Sequence, residues 1–294
     1  MVGIGGGAMD VYIVSAFSKD GAGGNKAGVC LDAGGLEREQ KMKIAKEMGY
    51  SETVFVSSPT IDGADWRFEY FTPSEEVPLC GHATIAGFTV LRERGLVESG
   101  EFRLQTKEAV LDIVVEDGRI LMQQNNPTFG ESLDAGDIGE CFDSEVAHDS
   151  LPIQIVSTGL RDIILPIKDM ATLEGMKPNF DEIVRVSEKF DTVGIHAFAI
   201  DGERIVCRNF APRYEVPEES ATGTSNCALA CYLHNNRILR RGSYVFEQGY
   251  SLDSPSEIVV DLVTKGDEIE KVVVGGAGYI CGTRHRLTLR RETR

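Results

Sequence analysis

Phe71-Thr72-Pro73-Ser74-Glu75-Glu76-Val77-Pro78 runs into Leu79-Cys80-Gly81-His82-Ala83-Thr84, and the same pattern returns later in the chain. There it reads Phe210-Ala211-Pro212-Arg213-Tyr214-Glu215-Val216-Pro217, then Glu218-Glu219-Ser220-Ala221-Thr222-Gly223-Thr224-Ser225. The shared F-x-P-x-x-E-V-P keeps one offset of 139 residues (210 − 71 and 217 − 78). A period this long points to two whole domains on one plan, not to a solenoid of short repeats. Each copy reaches a small-polar turn with a glycine, Gly81 or Gly223, and enters an apolar run, 83–91 or 227–233. Neither run carries charge on any face, which predicts a helix buried all round, and neither is long enough to span a bilayer. The first N–H groups of a helix lack partners and carry positive partial charge, so a helix start attracts carboxylates and phosphates. For a single copy, Gly-His or Gly-Thr-Ser reads as turn and N-cap chemistry. The repetition favours two helix starts that grip one small anion.

The bulk numbers bound the function. At 294 residues, with 42% hydrophobic and 26% charged positions, the composition is that of a soluble globular protein with room for two domains. A net charge of −16 argues against nucleic acid or an anionic membrane as partner. Seven cysteines are scattered with no CxxC, which fits a reducing cytoplasm better than a disulfide framework. Cys227 and Cys231, one helical turn apart, read as small core residues. The Gly-rich start lacks a basic n-region, so no signal peptide is expected; residues 1–8 read as an extension, with folded chain from Met9.

In chain order, 11–17 reads as a strand, and a Gly-rich loop leads to Gly24-Asn25-Lys26-Ala27-Gly28, a glycine pattern for close backbone approach or an ordinary bulge. An amphipathic helix is expected over 36–48, closed by Gly49. Strands are expected over 50–56, 66–71, 102–106, 109–115 and 120–124, with a linker at 125–128. The acidic stretch 134–150 suggests a surface helix plus loop. Strands follow at 153–157 and 163–167, then a helix capped by Asn179, then strands at 195–200, 204–210, 244–248, 256–263 and 270–275. Gly275-Gly276-Ala277-Gly278 reads as a hinge before a last strand, 279–289. Short strands with one buried helix per half indicate an α+β class; no G-x-G-x-x-G between strand and helix and no Walker A sequence appears.

Together, S-E-T-V-F-V at 51–56, F-T-P-x-x-E-V-P-L-C-G-H-A-T at 71–84, R-N-F-A-P at 208–212 and E-E-S-A-T-G-T-S-N at 218–226 resemble the phenazine-biosynthesis isomerase (PhzF-like) family, as does the G-N-x-A-G at 24–28. The resemblance covers essentially 9–289. It implies a diaminopimelate-epimerase-like fold: two pseudo-symmetric domains, each a curled, mostly antiparallel, barrel-like sheet around a central helix, with the active site in the cleft between them. Domain bounds of 1–125 plus 279–294 and 126–278 follow. It also implies proton transfer with no cofactor and no metal, and a homodimer. The family's catalytic glutamate falls on Glu52, a general base and then acid, which works best with a pKa raised by burial. His82 matches the histidine that contacts substrate, and Gly223 and Thr224 match the donors for the substrate carboxylate. Asn25, Ala27, Gly28, Cys80, Gly81 and Thr222 complete the expected substrate-binding set. The family's aspartate two residues before A-T-G is here Glu219, which the resemblance places with Glu52 and His82 among the catalytic residues; it keeps the charge, adds a methylene and reshapes the pocket.

Two other readings use the same residues. Epimerases and racemases of this fold place a cysteine before each helix glycine; Cys80 matches the first position and Thr222 the second. Threonine is no base, so two-base racemisation is disfavoured, while one-base elimination by Cys80 stays open. The remaining reading is a binding protein without turnover. The expected ligand is a small carboxylate-bearing metabolite with an acidic C–H.

Overall fold

The structure, a computed structural model, describes residues 9–287. The expectations for 1–8 and for the last two residues of the 279–289 strand lie outside them. The chain divides into two compact units: 9–21, 26–122 and 277–287 form the first, 22–25 and 123–276 the second. The loop residues 22–25, with Asn25, therefore belong to the second unit.

In the first unit the chain runs β1 (Met9–Ala16), β2 (Asn25–Cys30), α1 (Arg38–Met48), β3 (Thr53–Ser57), β4 (Trp66–Phe71), β5 (Glu76–Val77), α2 (Gly81–Glu93), β6 (Gly100–Gln105), β7 (Val110–Glu116) and β8 (Arg119–Gln124). In the second follow β9 (Thr128–Leu133), β10 (Ile153–Ser157), β11 (Arg161–Pro166), α3 (Met170–Gly175), α4 (Phe180–Lys189), β12 (Gly194–Asp201), β13 (Arg204–Ala211), β14 (Val216–Glu219), α5 (Gly223–Asn235), β15 (Ser243–Gln248), β16 (Ser256–Lys265) and the start of β17 (Glu268–Leu287), whose residues from Ala277 on belong to the first unit.

In the first unit the strand pairings close on themselves: β1–β2–β3–β4–β6–β7–β8–β17 and back to β1. β2–β3 and β4–β6 are parallel, while β3–β4, β6–β7, β7–β8 and β1–β17 are antiparallel. α2 is buried at every position from His82 to Leu91, as its uncharged sequence requires. Phe88 meets Phe68 of β4 at 5.2 Å between ring centroids, and the Tyr70 and Thr84 hydroxyls lie 2.6 Å apart. α1 begins with Glu37 and Gln40 capping one another and lays Ile44, Ala45 and Met48 against Val11, Phe55 and Phe71.

The second unit repeats this economy. β9–β10–β11–β12–β13–β15–β16–β17 pair in that order, β11–β12 and β13–β15 in parallel, and β14 adds to β13. α5 is buried from Ser225 to His234, with Tyr232 edge-on to Phe198. Cys227 and Cys231 sit in this core with no exposure. A further apolar layer joins Leu173, Met176, Ile183 and Val186 of α3 and α4 to β10–β13. Asn179 caps α4 by accepting from the Glu182 N–H, as expected.

Three expectations change. The stretch 134–150 forms no α-helix: beyond a single 3-10 turn at Ala135–Asp137 it is irregular. Its apolar residues Ile138, Cys141, Phe142 and Val146 bury into the α3–α4 layer at no helical period, which the acidic composition masks. The linker at 125–128 runs straight into a strand, β9, paired antiparallel with β10. The hinge at 275–278 is instead the middle of the twenty-residue β17. Gly278 serves close approach there: a Cβ would stand 2.4 Å from Thr89 Oγ1 of α2 and 3.3 Å from the Ser15 carbonyl. Among the described residues no helix is long and apolar enough to cross a membrane.

Candidate functional site

In the first unit, α2 starts where the repeat motif ends. Cys80 is its N-cap in extended conformation, and its carbonyl accepts from both the Thr84 N–H and the Thr84 hydroxyl, at 3.0 and 2.8 Å. His82, one residue into the helix, is buried. Glu52 lies just before β3, and the parallel pairing of β2 with β3 fixes its backbone: the Gly28 N–H donates to the Glu52 carbonyl at 3.1 Å. A Cβ on Gly28 would meet Thr53 Oγ1 at 2.7 Å, so only glycine lets the two strands come this close. The Gly28 N–H is thus spent on the sheet, and Ala27 is wholly buried.

The side chains converge. Glu52 Oε2 is 3.2 Å from His82 Nε2, with 19% of the Glu52 side chain exposed. Ser51 Oγ is 3.4 Å from the same nitrogen, and Cys80 Sγ is 3.5 Å from His82 Nδ1. Burial acts to raise the Glu52 carboxyl, but the His82 imidazole, helped by Ser51 and Cys80, holds it below its ordinary 4.5. This corrects the expectation of a raised pKa: the carboxyl is partly buried, yet paired. Burial acts to lower His82, but Cys80 and Glu52 reverse it, and the imidazole titrates well above 6.5. The direction rests on Glu52, because burial pushes the Cys80 thiol up and keeps it neutral. Near neutral pH the centre is therefore a carboxylate–imidazolium pair beside a thiol. One donor atom from each of Glu52, Cys80 and His82 lies within 4.8 Å of the others, as compact as a metal's ligand set. Two of these atoms, Glu52 Oε2 and His82 Nε2, face one another as an ion pair.

In the second unit, β14 ends at Glu219 and α5 starts at Gly223 with Thr222 as N-cap. The Glu219 carboxylate is held at both oxygens: Asn25 Nδ2 donates to Oε1 at 2.9 Å and the Thr222 hydroxyl to Oε2 at 2.6 Å. Thr224, in the first turn of α5, takes a hydrogen bond on its carbonyl from the Thr158 hydroxyl at 3.2 Å. The structure thus brings Glu52, Cys80, Gly81 and His82 together in one unit, and Asn25, Glu219, Thr222, Gly223 and Thr224 together in the other.

Sequence reasoning missed four buried polar residues around α5. Gln248, Asn226 and His196 have no exposure. Asp162, 1% exposed, takes the Ser225 hydroxyl on Oδ2 at 2.8 Å, while its Oδ1 is buried without a hydrogen-bond partner. Burial pushes the Asp162 carboxyl up to about 7, with Glu219 adding to the rise. For His196, alone among apolar neighbours at 195–200, and Asn226, at the head of the apolar run 227–233, an isolated polar residue was the available signal; Asp162 follows Arg161 and Gln248 follows Glu247, so neither stood out.

The sequence pattern of the family described as "phenazine biosynthesis-like protein" matches residues 14–283. A Deinococcus radiodurans protein named "uncharacterized isomerase" is 35% identical over 288 residues, 91% of each chain. The trans-2,3-dihydro-3-hydroxyanthranilate isomerase of Pseudomonas aeruginosa is 27% identical over 90% of this chain and 95% of its own. Among solved structures, a PhzF-family phenazine biosynthesis protein from Bacillus anthracis superposes with a TM-score of 0.86 at 27% identity, covering 96% of this chain and 99% of its own. A hydroxyproline epimerase from Agrobacterium vitis shares the fold alone, with a TM-score of 0.59 at 13% identity over 96% of this chain and 93% of its own.

Proposed function

The chain belongs to the phenazine biosynthesis-like (PhzF) protein family, a family of isomerases with the diaminopimelate-epimerase-like fold, and from that premise we propose that Glu52 moves a proton between two carbons of a small carboxylate-bearing substrate. The observation that carries the reading is the Glu52–His82 pair at 3.2 Å. A carboxylate held ionised is ready to accept a proton, and its 19% exposure leaves room for a substrate C–H to reach it. In the first step a C–H bond breaks, its electron pair stays on the substrate and Glu52 becomes a neutral acid. In the second a C–H bond forms at another carbon and Glu52 is a carboxylate again. The imidazolium of His82 stays beside it and stabilises the negative charge that the substrate gains in between.

Glu219 has a holding role in this reading. Both of its oxygens accept hydrogen bonds, so its carboxylate is held in one place, and in this reading it meets the substrate as a fixed acceptor. The first N–H groups of α5, at Gly223 and Thr224, suit a carboxylate. Elimination by Cys80 ranks below proton transfer by Glu52, because burial keeps the thiol protonated. No cofactor enters the scheme. Its test is Glu52→Gln, which preserves shape and removes the base: ligand binding should persist and turnover should fall by about 10²–10⁴-fold.

A further inference from the structure

Gln248 ends β15 with its side chain fully buried beside the first turn of α5. Its amide has two N–H donors and two acceptor lone pairs, and all four are used. Nε2 donates to the Glu219 carbonyl at 2.7 Å and to Thr222 Oγ1 at 3.1 Å. Oε1 accepts from the Thr222 N–H at 3.3 Å and from Asn226 Nδ2 at 2.9 Å. A backbone carbonyl can only accept and a backbone N–H can only donate, so these partners leave the amide one orientation.

That orientation decides a proton two residues away. The Thr222 hydroxyl has a single O–H; receiving a hydrogen bond from Gln248, it turns its own proton to Glu219 Oε2. Asn226 is locked in turn: its Nδ2 faces the Thr222 carbonyl and Gln248 Oε1, which leaves Oδ1 for His196 Nε2 at 3.3 Å. Burial lowers His196 to about 4, so the ring is neutral and adds no charge beneath the helix start. The backbone after Gln248 is equally constrained. Gly249 has φ +86, and a Cβ there would stand 2.7 Å from the Ser220 carbonyl and 2.3 Å from that of Ser254. The segment from Glu219 to Thr222 is pinned from behind.

We propose that Gln248, backed by Asn226, is a positioning residue that aims the Thr222 hydroxyl at Glu219 and so fixes the longer glutamate side chain for substrate. The proposal rests on the reading above in that Glu219 faces the substrate. Glutamate has one more rotatable bond than aspartate, and Thr222 and Asn25 together remove that freedom.

The test is a set of variants with two separate readouts: the crystal structure of each, and turnover of the carboxylate that the wild-type protein labels in deuterated water. In Gln248→Leu, Glu219 should leave its single conformer and kcat/KM should fall about tenfold to a hundredfold, the range for lost hydrogen bonds to a charged group. Thr222→Val deletes the hydroxyl, both as donor to Glu219 and as acceptor from Gln248, and should reproduce the loss even if Gln248→Leu folds poorly. Combining Gln248→Leu with Thr222→Val should be no worse than either alone, since both act through one hydroxyl. Gln248→Glu restores a donor only when its new carboxyl is protonated, with Glu219 the charged group that faces it. Its activity should therefore recover as pH falls, in a limb that the wild type lacks; a merely structural role would give no such limb. Unmoved Thr222 and Glu219 side chains in Gln248→Leu would overturn the positioning role whatever the activity. Moved side chains with unchanged turnover would overturn the link to catalysis, and with it the reading of Glu219, leaving Glu52 untouched.

Discussion

Glu52 Oε2 and His82 Nε2 stand 3.2 Å apart, and each holds the other in its charged form: the carboxyl below 4.5, the imidazole well above 6.5. The strand edge that carries Glu52 and the helix start that carries His82 come from distant parts of one unit. Their pairing sets a carboxylate beside an imidazolium.

The pH dependence follows from these directions. Glu52 has a depressed folded pKa, so its contribution to stability is present above about 4.5 and is lost as pH falls through the lower folded value. His82 has a raised folded pKa, so its contribution is complete below about 6.5 and is lost as pH rises through the higher folded value. A plot of kcat/KM against pH should be bell-shaped, with its acid limb below 4.5 and its alkaline limb above 6.5. In Glu52→Gln, the His82 imidazole should titrate nearer its ordinary value by NMR.

Cys80 should be dispensable for proton transfer. Burial raises its pKa, so it should alkylate slowly with iodoacetamide at neutral pH. Cys80→Ala should keep kcat within about tenfold of wild type, since no bond to sulfur forms in the proposed steps. Loss of turnover in that variant would favour thiol-based elimination.

Asp162 is a buried carboxyl raised from 3.8 to about 7, so the folded state binds its proton more tightly than the unfolded chain. Stability from this residue is therefore greatest at low pH and is lost as pH rises to about 7. Asp162→Asn removes the titration and should stabilise the protein at pH above about 7, measured as a higher Tm, with little change near the acid end of that window.

Gly278 in β17 leaves room for Thr89 of α2, where a Cβ would stand 2.4 Å from Oγ1. Gly278→Ala should destabilise by about 1–3 kcal/mol in urea unfolding, the usual cost of overpacking. Thr89→Ala in the same chain should restore part of it, because the clash is with that side chain.

The two buried helices and the motif turns before them were legible because an uncharged run can only be a core element and because the pattern occurs twice. Glu52 and His82 were reachable through resemblance, yet their protonation was not: S-E-T and C-G-H do not reveal that the two side chains meet across 30 residues of sequence. Gly275–Gly278 misled because glycine marks both flexibility and close approach, and only Thr89 distinguishes them. The 134–150 stretch misled because acidic composition hid four inward apolar residues with no period. Asn226 left no mark beyond a polar letter at the head of an apolar run, and Gln248, between Glu247 and Gly249, left none, since hydrogen-bond partners are a property of the folded chain.

The central claim is that one carboxylate carries the proton, and deuterated water tests it most directly. Incubated there with a panel of small carboxylates, the wild-type protein should place a new C–D bond in one of them, while Glu52→Gln binds the same compound and leaves it unlabelled. Label incorporated by Glu52→Gln at the wild-type rate would contradict the account.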